Sequence, residues 1–203
     1  MFGADSPTGG DLRVRLSLDL LGLDVRSVFG VDQPRIGFQR GEFNVNYDTS
    51  FSYEAQVVPL IESGEAVPLF SLGQADAKGV IGRDPVMPDV PTFAEQYRAL
   101  HGADPQGPGY DAWMTIFRLT ESAAKVVLLP PETPQPIVDL YWAAAKDVVA
   151  KMHAPENEAA TAEIVGTYAQ ATGEQAAGLL RSALTFDEAS VTWLRDYVEQ
   201  SLQ

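Results

Sequence analysis

The chain reads as an α/β protein, on three observations. Short apolar stretches broken by Gly, Pro, Asn and Asp fill residues 1–95, strand and helix signals alternate over residues 43–72, and residues 136–203 read as helix almost throughout. The chain has 203 residues, between one and two domains at ~150 residues each. That length buries a core without disulfides or metals. Hydrophobic residues make up 45% and charged residues 21%, a globular rather than disordered balance.

The elements follow in order. Leu12, Val14, Leu16, Leu18 and Leu20 alternate with Arg13, Arg15, Ser17 and Asp19, which by period alone is a strand. The Leu12, Leu16, Leu20 spacing after Asp11 also fits a helix, and the high Leu content favours helix. Val25, Val28, Phe29 and Val31 form a short strand. Phe43, Val45 and Tyr47 alternate with Asn44 and Asn46 as another. Phe51 to Glu62 is a helix with Tyr53, Val57, Leu60 and Ile61 on one side, ended by Gly64. Ala66 to Leu72 is the next strand, so residues 43–72 form a βαβ unit with parallel strands. Thr92 and Glu95 make a capping box after a proline-rich stretch. Residues 96–135 are irregular, with breaker clusters at 102–109 and 130–134.

In the last third, Thr133 caps a helix with Pro134 at its first position, and Pro155 closes it. A second helix runs from about Glu158 to Gln170 and stops at Gly173. A third runs from about Glu174 to Leu184. Thr185 and Glu188 match a capping box, and Val191, Leu194, Val198 and Leu202 make the stripe of the last helix.

Charge and motifs exclude several functions. Lys plus Arg is 14 against 28 Asp plus Glu, a net charge of −14. Such a surface repels nucleic acid and anionic lipid, so neither is an expected partner. Without cysteine there is no thiolate zinc site, disulfide or cysteine nucleophile. No apolar run approaches the ~20 residues of a membrane span, so no membrane insertion is expected. The N-terminus shows no secretory signal, which fits either a cytosolic chain or a missing beginning. His101 and His153 have no second His at helical spacing, and no nucleophile elbow, phosphate loop or calcium loop occurs. Catalytic residues, metals and cofactors are therefore not expected.

Two polar segments qualify as ligand loops. Gly3–Asp11 leads small hydroxyl residues and glycines into a helix, and the free amides of a helix N-terminus suit an anion. The simpler reading is a helix cap by Thr8 or Asp11. Asn46–Phe51 follows a strand and precedes a helix, at the strand end where parallel sheets bind ligands. Its simpler reading is again a cap, by Asp48, Thr49 or Ser50. Both loops would open on one sheet edge if both precede helices.

Arg83–Glu95, with MPDVPTFAE at its heart, resembles the R-x-P-x-x-PDVPT-x-x-E stretch of the substrate-binding receptors of tripartite tricarboxylate transporters, the Bug-type extracytoplasmic receptors. In the same order, Gly41–Asp48 resembles that family's G-E-x-D-x-x-x-D segment, with Asn44 for an Asp. Ile61–Leu69 resembles its I-x-x-G-x-x-x-x-L step. Leu128–Pro134 resembles its A-P-x-G-T-P step, and Trp113 matches the Trp that precedes it. The resemblance implies a type II periplasmic-binding-protein-like lobe, a mostly parallel sheet flanked by helices over 1–125, plus a helical region over 126–203 that normally completes the first lobe. It implies a periplasmic receptor, not an enzyme, that closes two lobes on a small carboxylated solute and delivers it to membrane permease subunits. On that mapping Ser6, Thr8, Gly9 and Gly10 form one wall of the site and Asp48, Thr49 and Ser50 the other. Asp48 repels a carboxylate, so it serves a ligand hydroxyl or amine, or orients its loop.

Nothing in the chain corresponds to the family's signal peptide or first-lobe segment. The expectation is a member without its N-terminal part, cytoplasmic if expressed as written, with weakened binding and exposed apolar surface that favours self-association. The alternatives are a small α/β hydrolase using a carboxylate and a cytosolic interaction protein whose helical tail binds a partner.

Overall fold

The computed structural model describes residues 1–75, 80–121, 125–166 and 170–201. The protein is mixed α/β and divides into two compact units, Met1–Glu121 with Phe186–Gln203, and Ser122–Thr185. The last helix belongs with the first unit rather than with the other C-terminal helices.

In the first unit β1 (Phe2–Gly3) lies parallel to β2 (Ser27–Val28), with Phe2 opposite Ser27 and Gly3 opposite Val28. On its other side Phe2 forms a parallel bridge with Val45. β1 is thus the middle strand of a short parallel arrangement. The predicted strand over Phe43, Val45 and Tyr47 is reduced to that bridge. Helix α1 (Leu12–Leu20) connects β1 to β2. Among the described residues this β1–α1–β2 crossover is the βαβ unit, in place of the one predicted over 43–72.

Helix α1 is buried along nearly its whole length, Leu12 to Leu18. Leu12 and Leu16 pack with Phe93, Trp113, Ile116 and Phe117 in one core cluster, and Val14 and Leu18 with Phe2 and Ala4 in a second. A helix with a core on two sides has no single apolar stripe, which is why its sequence mimics a strand's alternation.

After α2 (Pro34–Gln39), a helical run spans Ser50 to Glu62: α3 (Ser50–Ser52), one π-helical turn (Tyr53–Val57) and α4 (Val58–Glu62). Pro59 has no N–H to continue an α-helical ladder, and the wider π turn lies just ahead of it. Gly64 follows with φ 77°, as the helix stop requires. The strand predicted at 66–72 does not pair with residues 43–47. Val67 and Leu69 are exposed, and the segment makes one parallel bridge, Ser71 to Thr92. Its bonds run from Ser71 N to Pro91 O and from Phe93 N to Ser71 O, each 2.8 Å. Pro91 and Thr92, where the proline-rich stretch ends, take the pairing in place of residues 43–47, while the stretch itself turns, with Met87 N donating to Asp84 O and Val90 N to Met87 O at 3.0 Å each. A second sheet was not expected: β3 (Gln74–Ala75) and β4 (Ile81–Gly82) pair antiparallel. Among the described residues the mostly parallel sheet is therefore replaced by two small ones.

The capping box forms as predicted. Thr92 N donates to Glu95 Oε2 at 2.8 Å and Glu95 N to Thr92 Oγ1 at 3.2 Å, which opens α5 (Phe93–His101). Residues 96–135 are not irregular as a whole. Gly102, left-handed at φ 71°, stops α5, and Pro108 starts α6 (Pro108–Glu121). The breaker cluster at 102–109 is a stop and a start between two helices. Ala112, Trp113, Ile116 and Phe117 make the buried stripe of α6.

The second unit holds α7 (Gln135–Met152), α8 (Glu158–Val165) and α9 (Gly173–Ala183). Pro134, not Thr133, is the cap residue of α7, and Thr133 Oγ1 instead donates to Pro130 O at 2.7 Å. α8 ends at Val165 with Gly166 as its C-cap, ahead of the expected end at Gln170, and Gly173 opens α9; residues 167–169 of the expected helix lie outside the described residues. No residue of α7 is buried, and Leu140, Tyr141 and Val148 are each more than half exposed. Back in the first unit, α10 (Glu188–Gln200) is capped by Asp187, whose carboxylate accepts from Ser190 N at 2.9 Å, rather than by Thr185. Trp193, Leu194, Tyr197 and Val198 pack on the first core cluster, and Leu202 lies outside the described residues. Among the described residues no helix is long and apolar enough to cross a membrane.

Candidate functional site

The strand order places both polar loops together. β1 and the Val45 position run parallel, so residues 4–11 and 46–49 leave the same carboxyl edge, each ahead of a helix. The segment after β2 joins them there, with Gly30 N donating to Asp5 O at 3.0 Å and Val31 N to Ala4 O at 3.1 Å.

In the first loop neither cap reading holds. Asp11 stands at the N-cap of α1 without a side-chain cap bond, and its carboxylate accepts from Asp5 N at 2.9 Å. Thr8 N donates to Ser6 Oγ at 3.1 Å, and the Ser6 and Thr8 hydroxyls lie 3.3 Å apart. Both hydroxyls are therefore engaged within the loop. The Gly9 and Gly10 amides have no acceptor among the described residues, and both glycines are exposed at the start of a nine-residue helix. Both precede the Asp11 N-cap, just ahead of the positive end of the α1 dipole.

The second loop is built differently. Asp48 is not an open ligand group. Arg35 Nε donates to its two oxygens at 3.0 and 3.1 Å, Asn46 Nδ2 at 2.7 Å and Ser52 Oγ at 3.3 Å, and Arg35 Nη2 completes the ion pair. The hydrogen bond to Asp48 holds the Arg35 guanidinium above its ordinary pKa. Of the two roles expected for Asp48, this geometry is that of a loop-orienting residue. Ser50 Oγ donates to Asp84, a buried carboxylate in the proline-rich stretch that also accepts from Val86 N at 2.9 Å. Thr49 is exposed, with its hydroxyl 3.2 Å from that of Ser52.

Residues that spacing did not single out join the loops. Arg13, buried in α1, donates to the Tyr47 hydroxyl and forms an ion pair with Glu121, and its guanidinium carbon lies 5.2 Å from the Tyr47 ring centre. Arg13 Nε and Asn46 Oδ1 are buried without a partner. Arg35, Asp84 and Glu121 likewise act across more than ten residues of chain, and no local pattern marks such pairs.

Burial pushes the Glu121 carboxyl above its ordinary pKa, and the Arg13 charge only partly opposes it. A raised carboxyl pKa contributes stability that is full below the unfolded value and lost as pH rises through the folded one. The wild-type stability relative to Glu121→Gln, which does not titrate, should therefore fall between about pH 4 and pH 7. Chemical unfolding of both proteins at the two pH values checks this. A wild-type advantage that grows with pH would show that the Arg13 attraction outweighs burial.

Neither histidine joins the site. His101 lies on Tyr97, ring centres 4.3 Å apart, and His153 Nε2 is 2.8 Å from Gln170 Oε1 in the second unit. Among the described residues no group of three or more His, Asp or Glu is placed to hold a metal ion. Neither models of protein families, nor curated proteins, nor solved structures match this chain.

Proposed function

We propose that the protein is a solute-binding receptor of the tripartite tricarboxylate transporter type, that it takes a small carboxylated solute at the carboxyl edge of its parallel strands, and that it works in the periplasm with membrane permease subunits. The resemblance of Arg83–Glu95 and its companions suggests the family and its type II two-lobed architecture. The observation that carries the reading is the pairing of Phe2 with Ser27 on one side and Val45 on the other, which opens both ligand loops on one rim. Unpartnered Gly9 and Gly10 amides supply donors for a carboxylate there, and local donors outweigh the net charge of −14 at contact distance. Asp48 acts by holding its loop through Arg35, and Thr8 and Thr49 are the exposed residues of the two walls, their hydroxyls beside those of Ser6 and Ser52. The reading requires no catalytic group. The exposed side of α7 is the surface through which such a chain would self-associate.

Amide-resolved NMR titration of the full chain with di- and tricarboxylates and acidic amino acids tests this. A binding solute should shift the amides of Ser6–Gly10 and Thr49–Ser50 saturably. No saturable shift with any of them, or shifts confined to other regions, would remove the receptor reading.

A further inference from the structure

A second polar place in the first unit lies behind the first loop. Arg15 of α1 is only 5% exposed. Its Nε donates to Ser27 Oγ at 3.2 Å and its Nη1 to Pro7 O at 3.0 Å. Its guanidinium carbon sits 4.7 Å from the centre of the Phe29 ring and 5.7 Å from that of Tyr197. Buried Arg13 has Glu121, but Arg15 has no carboxylate within 4.0 Å among the described residues, and its Nη2 has no acceptor there. A buried cation without an anion is costly, and neutral oxygens and aromatic faces offset only part of that cost.

The guanidinium forms part of the wall of a depression of about 500 Å³. That volume suits a small ligand. Arg26 and Ser27 add a second cation and a hydroxyl to the wall, and Leu18, Val25 and Phe29 give it an apolar side. Asp19 also borders it, but its carboxylate already accepts the Tyr197 hydroxyl. Burial, reinforced by Asp19, raises the Tyr197 pKa, so that hydroxyl keeps its proton and goes on donating. Two arginines against one engaged carboxylate leave the wall with one positive charge to satisfy. A doubly charged anion would meet Asp19, and a wholly polar one would leave the apolar side unused.

We propose that this depression binds a small organic monocarboxylate, with the carboxylate between Arg15 and Arg26 and the apolar body against Leu18, Val25 and Phe29. The site lies along β2 and meets the first loop at Pro7, but none of Ser6, Thr8, Gly9, Gly10, Asp48, Thr49 and Ser50 lines it. NMR titration of the full chain with benzoate, and in parallel with inorganic phosphate, tests it. Benzoate should shift the Ser27 and Phe29 amides saturably. Arg26 is exposed, so Arg26→Gln should leave the amide pattern of the folded protein in place. It should weaken benzoate roughly tenfold, the loss of one charge-assisted hydrogen bond. Undiminished affinity in Arg26→Gln, or no saturable shift at Ser27 and Phe29, would overturn the site. Phosphate binding as tightly as benzoate would overturn the monocarboxylate assignment. Shifts confined to Ser6–Gly10 would overturn this site and leave the receptor reading standing.

Discussion

Replacing Trp113 by Ala should destabilise the first unit by about 3–5 kcal/mol, the cost of emptying a large aromatic site in a core. Trp113 is 1% exposed and stacks between Phe93 and Phe117, with ring centres 4.7 and 5.1 Å away. Its Nε1 donates to Ser17 Oγ at 2.7 Å, and that hydroxyl in turn donates to Arg13 O at 2.7 Å. The indole therefore ties α6 to the middle of α1, the helix that carries Arg13 towards Tyr47. Urea unfolding followed by far-UV circular dichroism measures the loss. Trp113→Phe keeps most of the ring area and removes the donor, so it should cost only about 1 kcal/mol. Equal losses for the two variants would mean that the hydrogen bond, and not the volume, dominates.

Gly73→Ala should cost about 2–5 kcal/mol, the sum of a left-handed backbone penalty and overpacking. Gly73 has φ 82°, and a Cβ built there would lie 2.6 Å from Gly82 O and 2.7 Å from Ile81 Cγ2. The nearer obstacle is backbone in β4 and has no rotamer by which to move. Displacing β4 would also disturb the segment leading to Asp84, the acceptor for Ser50 at the rim. The expected result is a lower unfolding midpoint together with shifted Ser50 and Thr49 amides in the folded protein. Gly64→Ala serves as the comparison. Gly64 also has positive φ, but no atom lies near its built Cβ within 4 Å, so only the backbone penalty of roughly 1–2 kcal/mol applies. If the two glycine variants lose the same stability, the close approach to β4 contributes nothing.

Legibility of the fold follows the range of the interaction. The Thr92–Glu95 box, the Gly64 stop and the stretches of α7, α9 and α10 each depend on residues within a turn or two, and each is readable in one window of sequence. The α6 stripe was equally local: Ala112, Trp113, Ile116 and Phe117 stand at helical spacing. It was obscured by the glycines and prolines at 102–109, which bound two helices rather than erase them. The caps of α7 and α10 were displaced by one and two residues, because Pro134 and Asp187 compete for the same role as Thr133 and Thr185.

The candidate site shows the same division. The two loops were readable from their composition and their place between strand and helix. Their side-chain connections were not, since Arg35 reaches Asp48, Ser50 reaches Asp84 and Arg13 reaches both Tyr47 and Glu121 across the fold.

By itself the sequence determined an α/β chain, helical in its last third, acidic, without cysteine, with two short polar turns ahead of helices. Tertiary structure alone decided that α1 is enclosed on two sides, that β1 pairs with β2 and Val45 while Ser71 turns to Thr92, and that α10 rejoins the first unit. Local propensity and capping are set by neighbours along the chain. Strand pairing, burial of both faces of one helix and ion pairing of distant residues are set by which surfaces meet, and those are chosen by the free energy of the whole packed unit.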